Sequence, residues 1–526
     1  MPDDLRNPDI AAAFAESVLA DAAKPRIQVL PGNLPATARL IQQALADEGL
    51  IFERGGPVFL KKDQMTGTLR ALPMTVESVI VAVSRVCQLF ELHKKKDDFE
   101  ERDVTCSVNL AKLILLGGEW ALRPLNGITS APILDDSGGI RCAEGYDDAT
   151  GMWCQGVPDV AGLVPPCPTE AQAREALHRL RAAFRTFPYA DAARHHDPAL
   201  GVDIVDLRQP PTGDETALLC GILTAICRPS LELAPMWMVR APSMSGAGSG
   251  KGLLVRAINE IAFGRPPQTF TGGHDAGELD KRLVSELIEA APGVALDNAN
   301  NLALASHTLD SALTEKPARV RPLGSSVMVP LNCSAFMTIT GNGLSVCVDL
   351  VRRTIELNLD PGMEDPESRP FRGDFLGEIR AQRAELLTAA LTLWRWGRLH
   401  PDLPAGRSLG SYEAWGRWCR DPLAALGCAD PVARIQAAKA TDTRRQQVME
   451  IFAAWFERHH DYPVRVADLH ESVTAIIDPS GRGSWQFARA HVEKLVGTRI
   501  NGMFLTVSKP AGRHGAATYS LRSTST

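Results

Sequence analysis

Apolar residues recur along this chain with two different periods, and the switches between them divide it into segments. From about Gln28 to Pro168, short strand-like runs such as ERGGPVFLKK alternate with GG, DDSGG and DDATG punctuation. That pattern predicts hairpins and loops on a small α+β domain spanning residues 1–168. Thr169-Glu-Ala-Gln-Ala-Arg-Glu-Ala-Leu then opens with a cap-like Thr and runs with helical spacing to Phe187. After a polar insertion containing HHDP and RQPPTGDE, the apolar run Thr216 to Cys227 predicts a second helix. Residues 169–234 thus read as a helical linker or collar.

From Pro235 the period shortens. Met236–Arg240, Thr269–Thr271, Val294–Leu296, Ala335–Thr340 and Thr354–Leu359 are short apolar strands separated by helical stretches, which predicts a parallel α/β core over residues 235–375. Residues 376–440 return to helical spacing in LGEIRAQRAELLTAALTLWRWGRL and SYEAWGRWCRDPLAAL. Residues 441–526 read as three helices, RRQQVMEIFAAWFERHH, VADLHESVTAII and SWQFARAHVEKLVG, followed by the hairpin FLTVSK-PAGRHGA-ATYSLR.

Composition narrows the class. At 526 residues the chain exceeds a single compact core, and three to four domains are expected. Hydrophobic residues at 45% and charged residues at 22% argue against wholesale disorder. The net charge of −6 gives no global attraction to nucleic acid. From Thr441 onward, however, eleven Lys/Arg stand against eight Asp/Glu, a local balance of about +3 that leaves about −9 for the rest. The eleven cysteines form no CxxC pair, and Cys142, Cys154 and Cys167 are too widely spaced for a zinc knuckle. Reduced thiols in a cytoplasmic protein are the expectation. The acidic start MPDDLRNPDIAAAFAESVLADAA lacks a signal peptide's regions, and the longest apolar run falls short of a membrane span, so no membrane partner is expected.

Candidate chemistry sits at the first strand of the α/β core. Met236-Trp-Met-Val-Arg-Ala-Pro leads into Ser243-Met-Ser-Gly-Ala-Gly-Ser-Gly-Lys-Gly and then into the helix LLVRAINEIAF. Strand, glycine-rich loop, Lys, helix is the context of a phosphate-binding loop. Ser245, Gly246, Ala247, Gly248, Ser249, Gly250, Lys251 and Gly252 are the candidate nucleotide-binding residues. Glycines 246, 248 and 250 let successive N–H groups curl around a phosphate, and Lys251 reaches the terminal phosphates. Two positions depart from GxxxxGK[ST]. Ser245 replaces the first Gly, and Gly252 replaces the hydroxyl residue that ordinarily ligates Mg²⁺.

Further along, Gly293-Val-Ala-Leu-Asp-Asn supplies a strand ending in Asp297, the candidate Mg²⁺ carboxylate, with Asn298 beside it. The Glu that would activate water is missing at 298. Ala335-Phe-Met-Thr-Ile-Thr-Gly-Asn ends in Asn342, an amide suited to orient an attacking water, although a plain Gly-Asn turn is the competing reading. Asp349-Leu-Val-Arg-Arg follows, so Arg352 or Arg353 is a candidate arginine finger, against a solvated basic pair.

The order of Lys loop, DN-ended strand, strand-end GN and Arg pair resembles superfamily 3 and related AAA+ helicases. More specifically, the chain resembles the primase-associated helicases of prophages and plasmids, a group that includes poxvirus-type helicase-primases. GITSAPILDDSGGIRCAEGYDDATGMW, GELDKRLVSELIEAAPGVALDN, DLVRRTIELNLDPGMEDPESRPFRGD and SYEAWGRWCRDPLAALGCADP extend the resemblance over most of residues 30–525. It implies an α/β fold: a P-loop AAA+ core, superfamily 3-like, with an N-terminal α+β domain, a helical subdomain and a C-terminal winged helix. It implies ATP and Mg²⁺ as cofactors, DNA as partner, self-association into a ring (a hexamer), and a primase or other replication proteins as further partners. The family's channel hairpin corresponds to Pro317–Pro330, which makes Arg319 and Arg321 candidates for gripping phosphates, with a structural hairpin as the alternative. In the C-terminal segment Gln486, Arg489, Lys494 and Arg499 fall on or near the third helix, and Lys509 and Arg513 at the wing, where a basic tip meets phosphates. Winged helices also dock proteins. No zinc-binding Cys set or paired-Asp motif supports primase chemistry. Three functional readings follow: an ATP-driven DNA motor, a nucleotide-dependent DNA-binding and loading ATPase with little unwinding, or a signalling or defence ATPase whose winged helix binds protein.

Overall fold

The computed structural model describes residues 24–95, 98–117, 120–242, 247–271, 276–300, 303–304, 306–323, 326–346, 348–368, 373–435, 443–478, 485–508 and 516–523. The chain divides into two compact units, Met1–Pro431 and Val432–Thr526. Among the described residues no helix is long and apolar enough to cross a membrane.

The N-terminal part of the first unit is built of small sheets and short helices. Arg26–Gln28 pairs in parallel with Gln88–Lys95, which runs antiparallel to Asp98–Val104. Helices Leu34–Asp47, Val76–Val86 and Val108–Leu116 bury Ile41, Leu45, Val79, Val83 and Leu110 in one cluster. Each helix starts on a side-chain cap (Asn33, Thr75 and Ser107), which satisfies an otherwise orphaned first-turn N–H. A second sheet has the order Leu69–Pro73, Pro57–Lys62, Ile51–Glu53, Arg123–Pro124.

The α/β core starts with helix α1 (Glu170–Ala183), opened by a capping box between Thr169 and Gln172. A two-stranded hairpin, Arg194–Asp197 with Val202–Val205, follows. Helix α2 (Gly213–Cys227) is buried along nearly its whole length, as a helix apolar on every side must be. The remaining core elements are β1 (Met236–Ala241), α3 (Lys251–Phe263), β2 (Gln268–Thr271), α4 (Ala276–Ile288), β3 (Gly293–Asp297), α5 (His307–Thr314), β4 (Phe336–Asn342), β5 (Thr354–Asn358) and α6 (Arg383–Leu399). The five strands form one sheet in the order β2–β3–β4–β1–β5, and every neighbouring pair is parallel. They occupy the five segments that the short apolar period predicts. Strands covered on both faces carry near-continuous apolar runs, so the pattern is strong there.

One face of the sheet packs on α2 and α3, where Trp237 meets Phe336 and Trp415 and donates its indole N–H to the Ala217 carbonyl at 2.8 Å. The other face packs on α4 and α5 through Met238, Leu283, Leu296, Leu309, Met337 and Ile339. Helix α6 lies against α1, α2 and α3. The two helical stretches that are separate in sequence, 169–234 and 376–425, therefore form one layer.

The N-terminal sheets attach at the C-terminal end of α4. Ala71 and Ile128 donate backbone N–H groups to the Glu289 and Ala290 carbonyls. The buried Arg54 guanidinium donates to the carbonyls of Leu125, Asn126, Ile288 and Asn332 at 2.9–3.2 Å, and to that of Leu287. A helix end leaves carbonyls without partners, and a cation there satisfies both the hydrogen bonds and the dipole. Burial lowers the Arg54 pKa to about 10, so it stays charged at neutral pH.

The second unit runs α7 (Thr443–His459), α8 (Glu471–Ile477), α9 (Trp485–Leu495), β6 (Arg499–Ile500), β7 (Met503–Ser508) and β8 (Thr518–Ser523). The three strands form an antiparallel sheet, and Val464 adds an isolated bridge to Tyr519. Its core gathers Ile451, Phe452, Trp455, Val473, Val492 and Leu505. On α9, Ala488, Val492 and Leu495 face that core at helical spacing.

Candidate nucleotide site

Parallel strands all end at the same edge of a sheet, and ligands of open α/β sheets bind there. At this edge β1 runs into the glycine-rich loop, β3 ends in Asp297 and β4 ends in Asn342. The strand order sets β4 between β1 and β3, so Asn342 stands between the Lys loop and Asp297 along the edge.

Within the loop Ser245 and Gly246 lie outside the described residues, and Ala247 to Gly252 lie within them. Gly248 and Gly250 adopt φ of 69° and 94°, left-handed values that glycine takes without Cβ strain. Close neighbours reinforce the requirement. A Cβ on Gly248 would sit 2.8 Å from the Glu367 backbone nitrogen, and one on Gly250 would sit 3.3 Å from the Phe187 ring. Gly250 is the N-cap of α3 and has no side chain to cap it, so the N-cap residue itself brings no side-chain acceptor to the positive end of the helix.

Lys251 donates to the Ser249 hydroxyl at 3.1 Å, and Ser249 is itself buried. Burial lowers the Lys251 pKa, and the nearby Asp297 carboxylate partly restores it. Lysine and carboxylate therefore share one electrostatic site. Asp297 in turn accepts from the Asn298 N–H at 3.0 Å and from the Thr340 hydroxyl. Asn298 has φ of 55°, and its side chain is exposed at the strand end. Asn342 accepts nothing at Oδ1: that oxygen is buried without a hydrogen-bond partner, while the Asn342 N–H donates to Asn300 Oδ1 at 2.7 Å. A buried amide oxygen costs about 1–3 kcal/mol when unpaired, so an unpaired one at a strand edge points to an absent donor.

These residues fit Mg²⁺ and a nucleotide. Mg²⁺ in such sites takes one or two carboxylates and completes its shell with substrate phosphates and water. Asp297 supplies the carboxylate. Gly252 supplies no hydroxyl, but among the described residues, its own helix and chain neighbours apart, no heavy atom lies within 4 Å of a Cβ built there. Thr340 and Asn300 are members of the site that the sequence reading does not single out. Thr340 could have been found from β-strand alternation, which sets Thr338, Thr340 and Asn342 on one face of β4.

The two candidate fingers separate. Arg353 is partly buried and ion-paired with Asp310 of α5 in its own chain, whereas the Arg352 side chain is exposed. Arg353 is therefore not a freely solvated charge: its guanidinium pairs with the Asp310 carboxylate beside it. Arg319 and Arg321 are exposed at an antiparallel hairpin of Ala318–Val320 with Val329–Leu331. Leu323 and Val327 on its loop are 74% and 65% exposed.

In the second unit Gln486, Arg489, Lys494 and Arg499 are all exposed. Arg489 is paired with Glu493 at 2.9 Å, and Arg499 stacks over Phe504 at 5.5 Å. Lys509 and Arg513 lie outside the described residues.

No protein-family model matches this chain, and no curated protein matches it. Among solved structures it is similar to the C-terminal region of NrS-1, at 15% identity and TM-score 0.32 over 63% of this chain and 84% of that one. It is similar to the JCV helicase at 13% identity and TM-score 0.23, over 54% and 71% of the two chains. It is also similar to the active helicase Cch of SCCmec type IV at 10% identity and TM-score 0.26, over 88% and 93%. Scores this low decide nothing, and the functional reading rests on the chain's own geometry.

Proposed function

We propose that this chain is an ATP-driven DNA motor of the superfamily 3 AAA+ type, working as a ring, a hexamer, in replication of a prophage, plasmid or other mobile element. The observation that carries the reading is the convergence of Lys251, Asp297 and the unpartnered Asn342 Oδ1 at one edge of a parallel sheet. The strand order sets β4 between the Lys loop and the carboxylate-bearing β3, which brings Asn342 to both. Lys251 and the open N-terminus of α3 hold the phosphates, Asp297 the Mg²⁺ shell, and Asn342 the attacking water. Bound Mg²⁺ supplies charge neutralisation on the phosphates. The helix and strand order of the second unit supports a winged helix, whose α9 offers Gln486, Arg489 and Lys494 to DNA.

Two features favour a second reading, a nucleotide-dependent DNA-binding or loading ATPase with weak unwinding. Gly252 removes a metal ligand, and Asn298 stands where a base would be. The deciding experiment is ATP hydrolysis with and without single-stranded DNA for wild type and Lys251→Ala. DNA-stimulated turnover that Lys251→Ala abolishes supports the motor. A wild type that binds ATP and DNA without turnover moves the assignment to the loader.

A further inference from the structure

The polar insertion between α1 and α2 has no place in the central sheet, yet it forms a wall. Its hairpin, Arg194–Asp197 with Val202–Val205, pairs only with itself. It is tied at its base to the end of the α1 segment, where the Val205 N–H donates to the Arg185 carbonyl at 2.8 Å. Between this hairpin, the end of α1 and the stretch after β5 lies a cavity of about 930 Å³, in the range of small-ligand sites.

The cavity opens beside the phosphate loop. Leu253, in the first turn of α3, lines it. Phe187 lines it too, and the same ring lies against Gly250. Pro361, Gly362 and Met363 contribute a third side, and the chain continues from them to Glu367, which packs on Gly248. Lys251 and Leu253 are two residues apart on a helix, about 200° around its axis. Lys251 is turned toward Asp297 and Leu253 toward the cavity. A phosphate chain on the loop would thus run from the metal side to the cavity mouth.

Chemically the cavity has an apolar floor and a polar rim. Phe187, Leu253, Phe375, Leu376 and Ile379 form the floor, with the Phe187 and Phe375 rings 5.3 Å apart at 66°. Arg185, Arg194, His196, Asp203, Glu378 and Gln382 bring donors and acceptors to the rim. A flat heteroaromatic base with a polar edge suits such a site, since its faces need apolar contact and its edge needs hydrogen bonds.

We propose that this cavity holds the base and ribose of the nucleotide whose phosphates lie on the Lys251 loop, and that the Arg194–Val205 hairpin is its outer wall. The proposal rests on reading that loop as a triphosphate site. Calorimetric titration of the full chain with ATP and with inorganic tripolyphosphate, both with Mg²⁺, separates the two ideas. Ala183 lines the cavity from the last turn of α1 and belongs to neither the loop nor α3. Ala183→Trp is expected to weaken ATP binding about tenfold or more while tripolyphosphate affinity stays within about twofold of wild type. Unchanged ATP affinity in that variant overturns the proposal. So does a wild type that binds ATP no more tightly than tripolyphosphate, which leaves the phosphate loop standing. A wild type that binds neither removes both readings. Photolabelling of the unaltered protein with azidoadenosine triphosphate is independent of any variant's folding. Label on peptides from 182–203 or 361–382 supports the cavity, and label confined elsewhere overturns it.

Discussion

Gly252 is the residue at which this site departs furthest from a working Mg²⁺·nucleotide centre, and the departure is chemical rather than steric. Among the described residues, chain neighbours and its own helix apart, nothing stands within 4 Å of a Cβ at that position, and its φ lies outside the left-handed values that the loop demands of Gly248 and Gly250. A serine therefore fits among the described neighbours, and its hydroxyl would stand one residue beyond Lys251, whose charge the Asp297 carboxylate supports. Gly252→Ser is expected to raise Mg²⁺-dependent turnover about tenfold or more, equivalent to lowering the barrier by about 1.4 kcal/mol. Hydrolysis rates measured across a Mg²⁺ series check this. Equal rates in both proteins at every Mg²⁺ concentration would show that the missing hydroxyl does not limit the reaction.

Among the elements, α8 of the second unit has an unusual start. Its N-cap is His470, whose Nδ1 accepts from the Ser472 N–H at 3.2 Å, and the His470 N–H donates to His459 Nε2 at 3.0 Å. His459 Nε2 acts as an acceptor there, so that imidazole must be neutral, and a positive charge at a helix N-terminus is unfavourable in any case. Burial, and then the neighbouring His470, push the His459 pKa below its ordinary value. The unfolded chain therefore takes up protons before the folded one. The stability contributed is full above about pH 6.5 and is lost as pH falls through that value toward the lower folded pKa. Calorimetry on the full chain at about pH 8 and about pH 5.5 should show the second unit's transition falling with pH. His459→Gln, whose amide oxygen can accept the same His470 N–H and does not titrate, should flatten that fall, and an unaltered slope would assign the effect elsewhere. The same element scale shows what sequence could and could not tell. MWMVRA, GVALD and FMTITGN were legible as strands because burial on both faces leaves continuous apolar runs, and T-x-x-Q marked the start of α1. Helix α2 begins at Gly213, earlier than its apolar run. Asp214 and Glu215 look like surface residues until Arg181 and the Asn358 N–H are brought to them by folding. The Arg194–Val205 hairpin carries no apolar period because it faces solvent and a polar cavity rim, and the Arg353–Asp310 pair is a tertiary event that no local spacing encodes.

At the scale of the whole molecule, the question is whether one chain completes its own nucleotide site. Transition-state charge on a transferring phosphoryl group needs a cation beyond the loop lysine. Of the two arginines immediately before β5, Arg353 is half-buried against Asp310, and the Arg352 side chain reaches the surface. A head-to-tail interface repeats one surface against a different one, so a closed ring would bring each Arg352 to the nucleotide site of the next chain. The expected outcome is complementation. Lys251→Ala and Arg352→Ala are each expected to lose hydrolysis by about a hundredfold or more when alone, in line with the 10³–10⁵-fold effects of such fingers. Mixed in equal amounts, they should regain activity at interfaces where an intact Lys251 meets an intact Arg352 from the other variant. Random assembly makes about a quarter of all interfaces of that kind. Hydrolysis per chain should therefore rise on mixing, and should rise further with total protein concentration as rings form. If Arg352 acts within its own chain, every chain in the mixture remains defective in one of the two groups, and no proportion of the variants recovers activity. If Arg352→Ala alone hydrolyses ATP like wild type while rings still form, the transition state is stabilised by another residue, and the exposed arginine is a surface charge.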